Sequence, residues 1–343
     1  MTEASDIRQL LSPEVLNGTE GLAARFKSAR PFPHVVIDDF LNDSFCAEIC
    51  QQFPGFHASS AFNEDGQVGG KAVQEKVREL GPAFRKMDDL VQSQEFLALI
   101  GRITGIGQLR YDPWYFGGGT HENRPGQDLD AHIDFNYHPI TRQHRRLNLI
   151  IYLNDEWDDR WGGSLQLHRD PGLPPGEDDV VTVTPLMNRC VIFETSERSW
   201  HGFDRIDVPP GKAHLSRRSF AIYFYTDWRP ANETADEHST VYVERHLPGR
   251  FAPGHVLEEA DVRELKVLLA RRDQHLQRLY RQVQEANGRL SRSWLYQLEM
   301  RLRRRVYELE SSGSWPISRP LRALRRALRR GPDNPGGCPK QDD

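Results

Sequence analysis

Cysteine is scarce in this sequence. Its four residues, Cys46, Cys50, Cys190 and Cys338, are scattered along 343 positions and make neither a disulfide framework nor a zinc site. No stretch reaches the roughly 18 apolar residues that a spanning helix needs. The first residues, MTEASDIRQL, lack the basic flank and apolar stretch of a secretory leader. A reducing cytoplasm is the expected location. Net charge is also small, −4 at pH 7, so the average composition gives no reason to expect nucleic acid as a partner. The charge is uneven, however: residues 301–330 hold ten Arg against two Glu.

What is present suffices for a folded core, since 38% of the residues are hydrophobic. Residues 1–104 read as a mostly helical supporting region with one early extended segment, PHVVIDDF. From 105 to 230 the texture changes to short apolar runs broken by Gly, Pro and Asp: QLRYDP, DLDAHIDF, RRLNLIIYLN, GSLQLHR, VVTVTP, RCVIFET, SWHGFDR and RRSFAIYFYT. Eight closely spaced strand candidates predict an all-β core of the jelly-roll type. Residues 231–256 read as an irregular connection. In 257–310 the pattern is helical, and Val262, Leu265, Leu269, Leu276, Leu279, Val283, Ala286 and Leu290 fall on the a and d positions of one heptad register, interrupted by Arg272. Two uses of that seam stay open: a homodimer through 257–290, or packing back onto the rest of the chain. Residues 311–343 read as a basic amphipathic segment, LRALRRALRR, followed by a disordered tail.

A metal face of two His and one carboxylate needs His-x-Asp on one strand and a second His from a distant one, because three ligands on one side leave positions open for co-substrate and oxygen. Period 2 puts His132 and Asp134 on one face with Ile133 on the other. The pattern alone is weak: this composition yields roughly one His-x-Asp by chance, and His168 with Asp170 is a second. Context selects the first pair. His168 runs directly into the turn residues PGLPP, whereas His132 opens the strand series and lies several strands before His201. His201 follows the apolar run CVIF, within Ser199-Trp200-His201-Gly202-Phe203. The strand RRSFAIYFYT adds two cations on opposite faces: Arg217 groups with Ser219, Ala221 and Tyr223, and Arg218 with Phe220, Ile222 and Phe224.

Residues 108–228 resemble the prolyl 4-hydroxylase-like branch of the Fe(II)/2-oxoglutarate dioxygenases. HIDFN resembles the first ligand strand, RRLNLIIYLNDEWDDRWGGSLQL the following strand, turn and strand, RCVIFETSERSWHGF the approach to the second His, and RRSFAIYFYT the closing strand. The resemblance implies a cupin-like double-stranded β-helix with N-terminal helical support and a C-terminal helical extension. It implies Fe(II) held by His132, Asp134 and His201, with 2-oxoglutarate and O2 as co-substrates and ascorbate as a reductant. It assigns the distal carboxylate of 2-oxoglutarate to Tyr152 and Arg217, with Asn148 lining the pocket on the same strand face. Arginine suits that role because its planar fork binds carboxylate at two points. Gly162 and Gly163 read as a tight turn rather than a ligand contact. Arg217 stands 16 residues after His201 where the family has about ten, an excess that DVPPGKAHL absorbs as a loop. Asp134 speaks against the halogenase variant, in which a small residue frees a halide position.

Hydroxylation of a C–H bond with release of succinate and CO2 is the expected chemistry, on a prolyl, small-molecule or glycan-related substrate. The Gly-rich insert WYFGGGTHENRPGQ, residues 114–127, reads as a substrate lid. GSWPISRPLRALRRALRR is similar to C-terminal segments of bacterial glycosyltransferases and other enzymes of surface-polysaccharide assembly. With Trp315, Ile317, Leu321, Leu324 and Leu328 among its arginines, 311–330 suits an anionic membrane surface or a protein partner equally. Two competing readings remain: a catalytically silent cupin-like scaffold or binding module in a polysaccharide-assembly complex, and a metal hydrolase on a jelly roll.

Overall fold

The computed structural model describes residues 7–56, 71–174 and 176–311. The basic segment from 312, the tail and Cys338 lie outside the described residues. The chain divides into two compact units, 1–256 and 257–343.

In the first unit, helices form where apolar residues recur at helical spacing between good caps. Helix α5 (Pro82–Gln92) has Pro in its first turn and buries Ala83, Phe84, Met87, Leu90 and Val91. Helix α6 (Gln94–Thr104) starts where the Ser93 side chain accepts the N–H of Phe96 and ends at Gly105, whose φ of 76° only glycine adopts freely. Four earlier helices, α1 (Ile7–Leu10), α2 (Pro13–Asn17), α3 (Thr19–Ser28) and α4 (Asp43–Gln51), complete the layer.

That layer covers one side of a six-stranded antiparallel sheet. Its order is β1 (His34–Ile37), β8 (Cys190–Glu194), β5 (His144–Tyr152), β10 (Arg217–Thr226), β3 (Gly119–Asn123), β2 (Lys71–Gln74). The second sheet runs β11 (Val241–Tyr242), β4 (Leu129–Ile133), β9 (Trp200–Phe203), β6 (Leu165–His168), β7 (Val180–Val183). Together they make a double-stranded β-helix. Alternation divides each strand: Leu147, Leu149 and Ile151 of β5 and Phe220, Ile222 and Phe224 of β10 join the helix-side core. The opposite faces close an inner core of Tyr152, Leu165, Leu167, Val183, Val191 and Phe193. Each such side chain, fully buried, contributes about 1.5–3 kcal/mol.

Besides the short strand β2 inside the region read as mostly helical, three segments depart from the sequence expectation. The insert expected as a lid contains β3, a fully buried strand between β10 and β2. Its residues Thr120, His121, Glu122 and Asn123 are polar, which disguised it. QLRYDP contributes only an isolated bridge from Arg110 to Tyr225. The connection 231–256 carries β11, which pairs with β4 beside His132.

The second unit holds α7 (Glu259–Arg292), opened by a capping box between Glu258 and Asp261, and α8 (Trp294–Ser311). Among the described residues no helix is long and apolar enough to cross a membrane.

Candidate metal and co-substrate site

The ligand candidates meet on the inner face of the second sheet. His132 stands directly opposite His201 across the β4–β9 pairing, and Asp134 follows one pleat on, just past the strand end. One donor atom from each of the three lies within 4.8 Å of the others, a group that could hold a metal ion. Both imidazoles are oriented alike. Nδ1–H of His132 donates to the Asp130 carbonyl and Nδ1–H of His201 to the Ser199 carbonyl, each at 2.9 Å. A carbonyl only accepts, so each Nδ1 carries a proton, and in the neutral ring Nε2 is then the atom that can ligate. Those Nε2 atoms lie 3.8 and 3.5 Å from Asp134. Two neutral imidazoles and a carboxylate converging on one point fit Fe(II) with further positions open. His168 lies elsewhere, with Nδ1 at 2.9 Å from Asp178.

Arg217 and Arg218 point to opposite faces of β10. Arg218 is 43% exposed and lies 3.6 Å from Glu122. Arg217 is buried, 5% exposed. Its Nε donates to the Gly163 carbonyl at 2.6 Å and its Nη2 to the Tyr152 hydroxyl at 3.1 Å. The guanidinium also lies over the rings of Tyr152 and Phe203, at 5.0 and 4.4 Å. Phe203 is two residues from His201 on the same strand face, so the cation shares the interior of the triad. Among the described residues no carboxylate pairs with it. Burial lowers its pKa and only Tyr152 opposes that shift. Burial also raises the Tyr152 phenol, which keeps it a neutral donor. A buried cation with unused donors is costly until an anion arrives.

The two glycines before β6 make the turn that shapes this end. Gly162 has φ 67°, and a Cβ there would sit 2.0 Å from the Arg205 carbonyl oxygen. Gly163 has φ 72°, and a Cβ would come within 3.3 Å of Arg217. Its carbonyl, as noted, orients that arginine.

The family model of the 2OG-Fe(II) oxygenase superfamily matches residues 118–225, the stretch from β3 to the end of β10. This is a 2OG-Fe(II) oxygenase domain. Its reagents are therefore Fe(II), 2-oxoglutarate and O2. Among solved structures, the chain is similar to a prolyl hydroxylase from Trichoplax adhaerens in complex with a hypoxia inducible factor oxygen degradation domain peptide fragment, at 18% identity, over 66% of this chain and 96% of that chain, TM-score 0.44. It is similar to a prolyl-4-hydroxylase from Pseudomonas putida at 17% identity, over 60% and 98%, TM-score 0.38. It is similar to the epimerase SnoN from nogalamycin biosynthesis at 15% identity, over 71% and 94%, TM-score 0.41. No curated protein matches it significantly.

Beside the triad, sequence reasoning passed over two side chains. Tyr242 of β11 stacks on His132, ring centroids 5.2 Å apart. Arg145 of β5 is buried with its Nη2 3.0 Å from Asp134 Oδ2. Asn148, expected to line the pocket, donates its Nδ2 to the same Oδ2 at 2.8 Å. Burial alone would raise the Asp134 carboxyl, but Arg145 foremost, with the two imidazoles and Asn148, holds it well below the usual carboxylate range.

Two buried histidines give the metal-free form a pH dependence. Burial lowers His201 from the ordinary 6.5, against the pull of Asp134 and the Ser199 hydrogen bond, and burial lowers His34 likewise. With the folded value below the unfolded one, the unfolded chain takes up the proton first. Stability is present above the unfolded pKa and is lost as pH falls through roughly 6.5. Scanning calorimetry of the metal-free protein is expected to give a Tm that drops between about pH 7.5 and 5.5; a flat or rising Tm would contradict these assignments.

Proposed function

We propose that this chain is an Fe(II)- and 2-oxoglutarate-dependent hydroxylase in which His132, Asp134 and His201 hold the metal and Arg217 with Tyr152 holds the distal carboxylate of 2-oxoglutarate. The observation that carries this reading is the buried Arg217: a cation without a carboxylate partner among the described residues, in the same interior as a 2-His-1-carboxylate face. When bound, the metal and co-substrate supply oxidation of a substrate C–H bond by O2, with succinate and CO2 released. The chain's own work is positional. The Asp130 and Ser199 carbonyls orient the two histidines, and Gly163 and Tyr152 aim the Arg217 fork.

Among the prolyl, small-molecule and glycan-related substrates, those that carry a ring can pack it on aromatic side chains. Trp114 and Phe116 are 47% and 42% exposed. Phe116 meets Phe135, the residue after Asp134, edge-on at 5.5 Å. That rim favours a ring-bearing substrate. The test is succinate release and O2 uptake by the full chain against panels of prolyl peptides, glycans and small cyclic metabolites. Release that needs Fe(II), 2-oxoglutarate and one panel member supports the proposal; turnover indifferent to 2-oxoglutarate would refute it.

We also read α7 as a homodimer element of this cytoplasmic enzyme. Its a positions Val262, Leu269, Leu276, Val283 and Leu290 are 37%, 60%, 45%, 55% and 57% exposed, leaving a self-complementary apolar seam. Light scattering is expected to give twice the chain mass for the wild type, and half that mass for Leu276→Glu with Leu279→Glu. A monomeric wild type would exclude the dimer.

A further inference from the structure

Regular alternation along β5 would turn Arg145 toward the helices, in phase with Leu147, Leu149 and Ile151. The ladder with β10 does not stay regular. Phe224 pairs with Leu147 and Tyr225 with Arg145, so Arg146 is an extra residue and the strand carries a β-bulge. The bulge reverses the phase and brings Arg145 onto the inner face with Asn148.

There the two side chains interlock. Arg145 Nε and Nη2 donate to Asn148 Oδ1 at 3.0 and 2.8 Å. This fixes the amide so that its Nδ2 donates to Asp134 Oδ2 at 2.8 Å, while Arg145 Nη2 reaches the same oxygen at 3.0 Å. The guanidinium lies between the rings of Tyr223 and Phe135, at 3.6 and 4.5 Å, and is 1% exposed, so it has no room to swing away. Asp134 Oδ2 lies 3.5 Å from His201 Nε2 but already takes the Asn148 and Arg145 donors, whereas Oδ1, 3.8 Å from His132 Nε2, receives no hydrogen bond among the described residues.

We infer that Arg145 and Asn148 form a clamp, delivered by the β5 bulge, that occupies Asp134 Oδ2 and restricts Asp134 to one-point metal ligation through Oδ1. The inference rests on the reading of Asp134 as a metal ligand. The clamp keeps one carboxylate oxygen out of the metal's coordination, preserving an open position, and the Arg145 cation offsets the carboxylate charge. Both are positioning residues, since neither touches the metal.

The test is Co(II) binding to the full chain without 2-oxoglutarate, followed by its visible absorption, for wild type, Asn148→Ala, Arg145→Met and Asn148→Asp. Asn148→Ala and Arg145→Met are expected to weaken Co(II) binding by about 10- to 100-fold. Their visible bands should be weaker than the wild type's, because a freed Asp134 ligates through both oxygens and raises the coordination number. Asn148→Asp should lose more, since the new carboxylate draws Arg145 from Asp134 and repels it. Asn148→Ala removes no charge, so it keeps the test decisive if Arg145→Met does not fold. Unchanged affinity and spectra in Asn148→Ala, or tighter Co(II) binding in a folded Arg145→Met, would overturn the clamp while leaving the metal assignment standing. A wild type that binds no Co(II) overturns the metal assignment and the clamp with it.

Discussion

Replacing Arg217 by alanine is expected to weaken 2-oxoglutarate binding by roughly 100-fold or more and to leave metal binding intact. Removing one side of a buried ion pair costs about 3–5 kcal/mol, because the other charge is stranded in a low-dielectric interior. Here the stranded charge would be the distal carboxylate. The Gly163 carbonyl and the Tyr152 hydroxyl use two of the guanidinium's five N–H groups, leaving donors for a two-point grip. Arg217→Lys keeps the charge but loses the fork, so it should fall between alanine and wild type. Tyr152→Phe removes a hydrogen bond to a charged group, about 1.5–3 kcal/mol or roughly 10- to 100-fold. In the metal-free protein without co-substrate, Arg217→Ala should change stability little, since relief of an unpaired buried cation opposes the lost packing. Isothermal titration of each variant with 2-oxoglutarate in the presence of a redox-inert divalent metal checks the series. Equal affinity in Arg217→Ala and wild type would remove this residue from the site.

The second large effect separates the two ends of the ligand set. Both His132→Ala and Asp134→Ala should abolish Fe(II) binding and 2-oxoglutarate-linked turnover, yet their metal-free forms should differ in stability. The His132 ring bonds through Nδ1 to a backbone carbonyl, and its loss strands no buried cation. Asp134 is the carboxylate that Arg145 pairs with at 3.0 Å, and Arg145 is 1% exposed. Removing it leaves a buried cation unpaired, a cost of about 3–5 kcal/mol, or a Tm lower by roughly 6 °C or more. Asp134→Asn, which keeps an oxygen near the guanidinium, should recover part of that loss. Calorimetry that finds the two alanine variants equally stable would mean that Arg145 does not depend on Asp134.

How much of this was legible in the sequence depended on whether the chain obeyed simple periods. β5 and β10 alternate apolar residues cleanly over most of their length. Period 2 alone therefore separated Arg217 from Arg218 and put Asn148 and Tyr152 on one face, as the structure has them. The apolar run of β8 and the spacing of α5 and α6 were equally plain. Arg145 was illegible for the opposite reason: a bulge shifts the phase by one residue, and nothing in HRRLN announces it. β3 was hidden because its buried residues are polar and follow three glycines, a pattern that reads as a loop. β11 has two residues, too few for any period, and its place depends on ties made far away in the chain. Among these, Val243 N–H donates to the Ala131 carbonyl and Arg245 Nε to Asp130.

The most direct test of the account is anaerobic titration of the metal-free full chain with Fe(II) and then 2-oxoglutarate, watched for the visible charge-transfer absorption of an iron-chelated keto acid. The account predicts that the absorption appears in the wild type, saturates at one equivalent per chain, and requires both reagents. Bound iron with no such absorption at saturating 2-oxoglutarate would contradict it, and would bring the silent-scaffold and hydrolase readings forward.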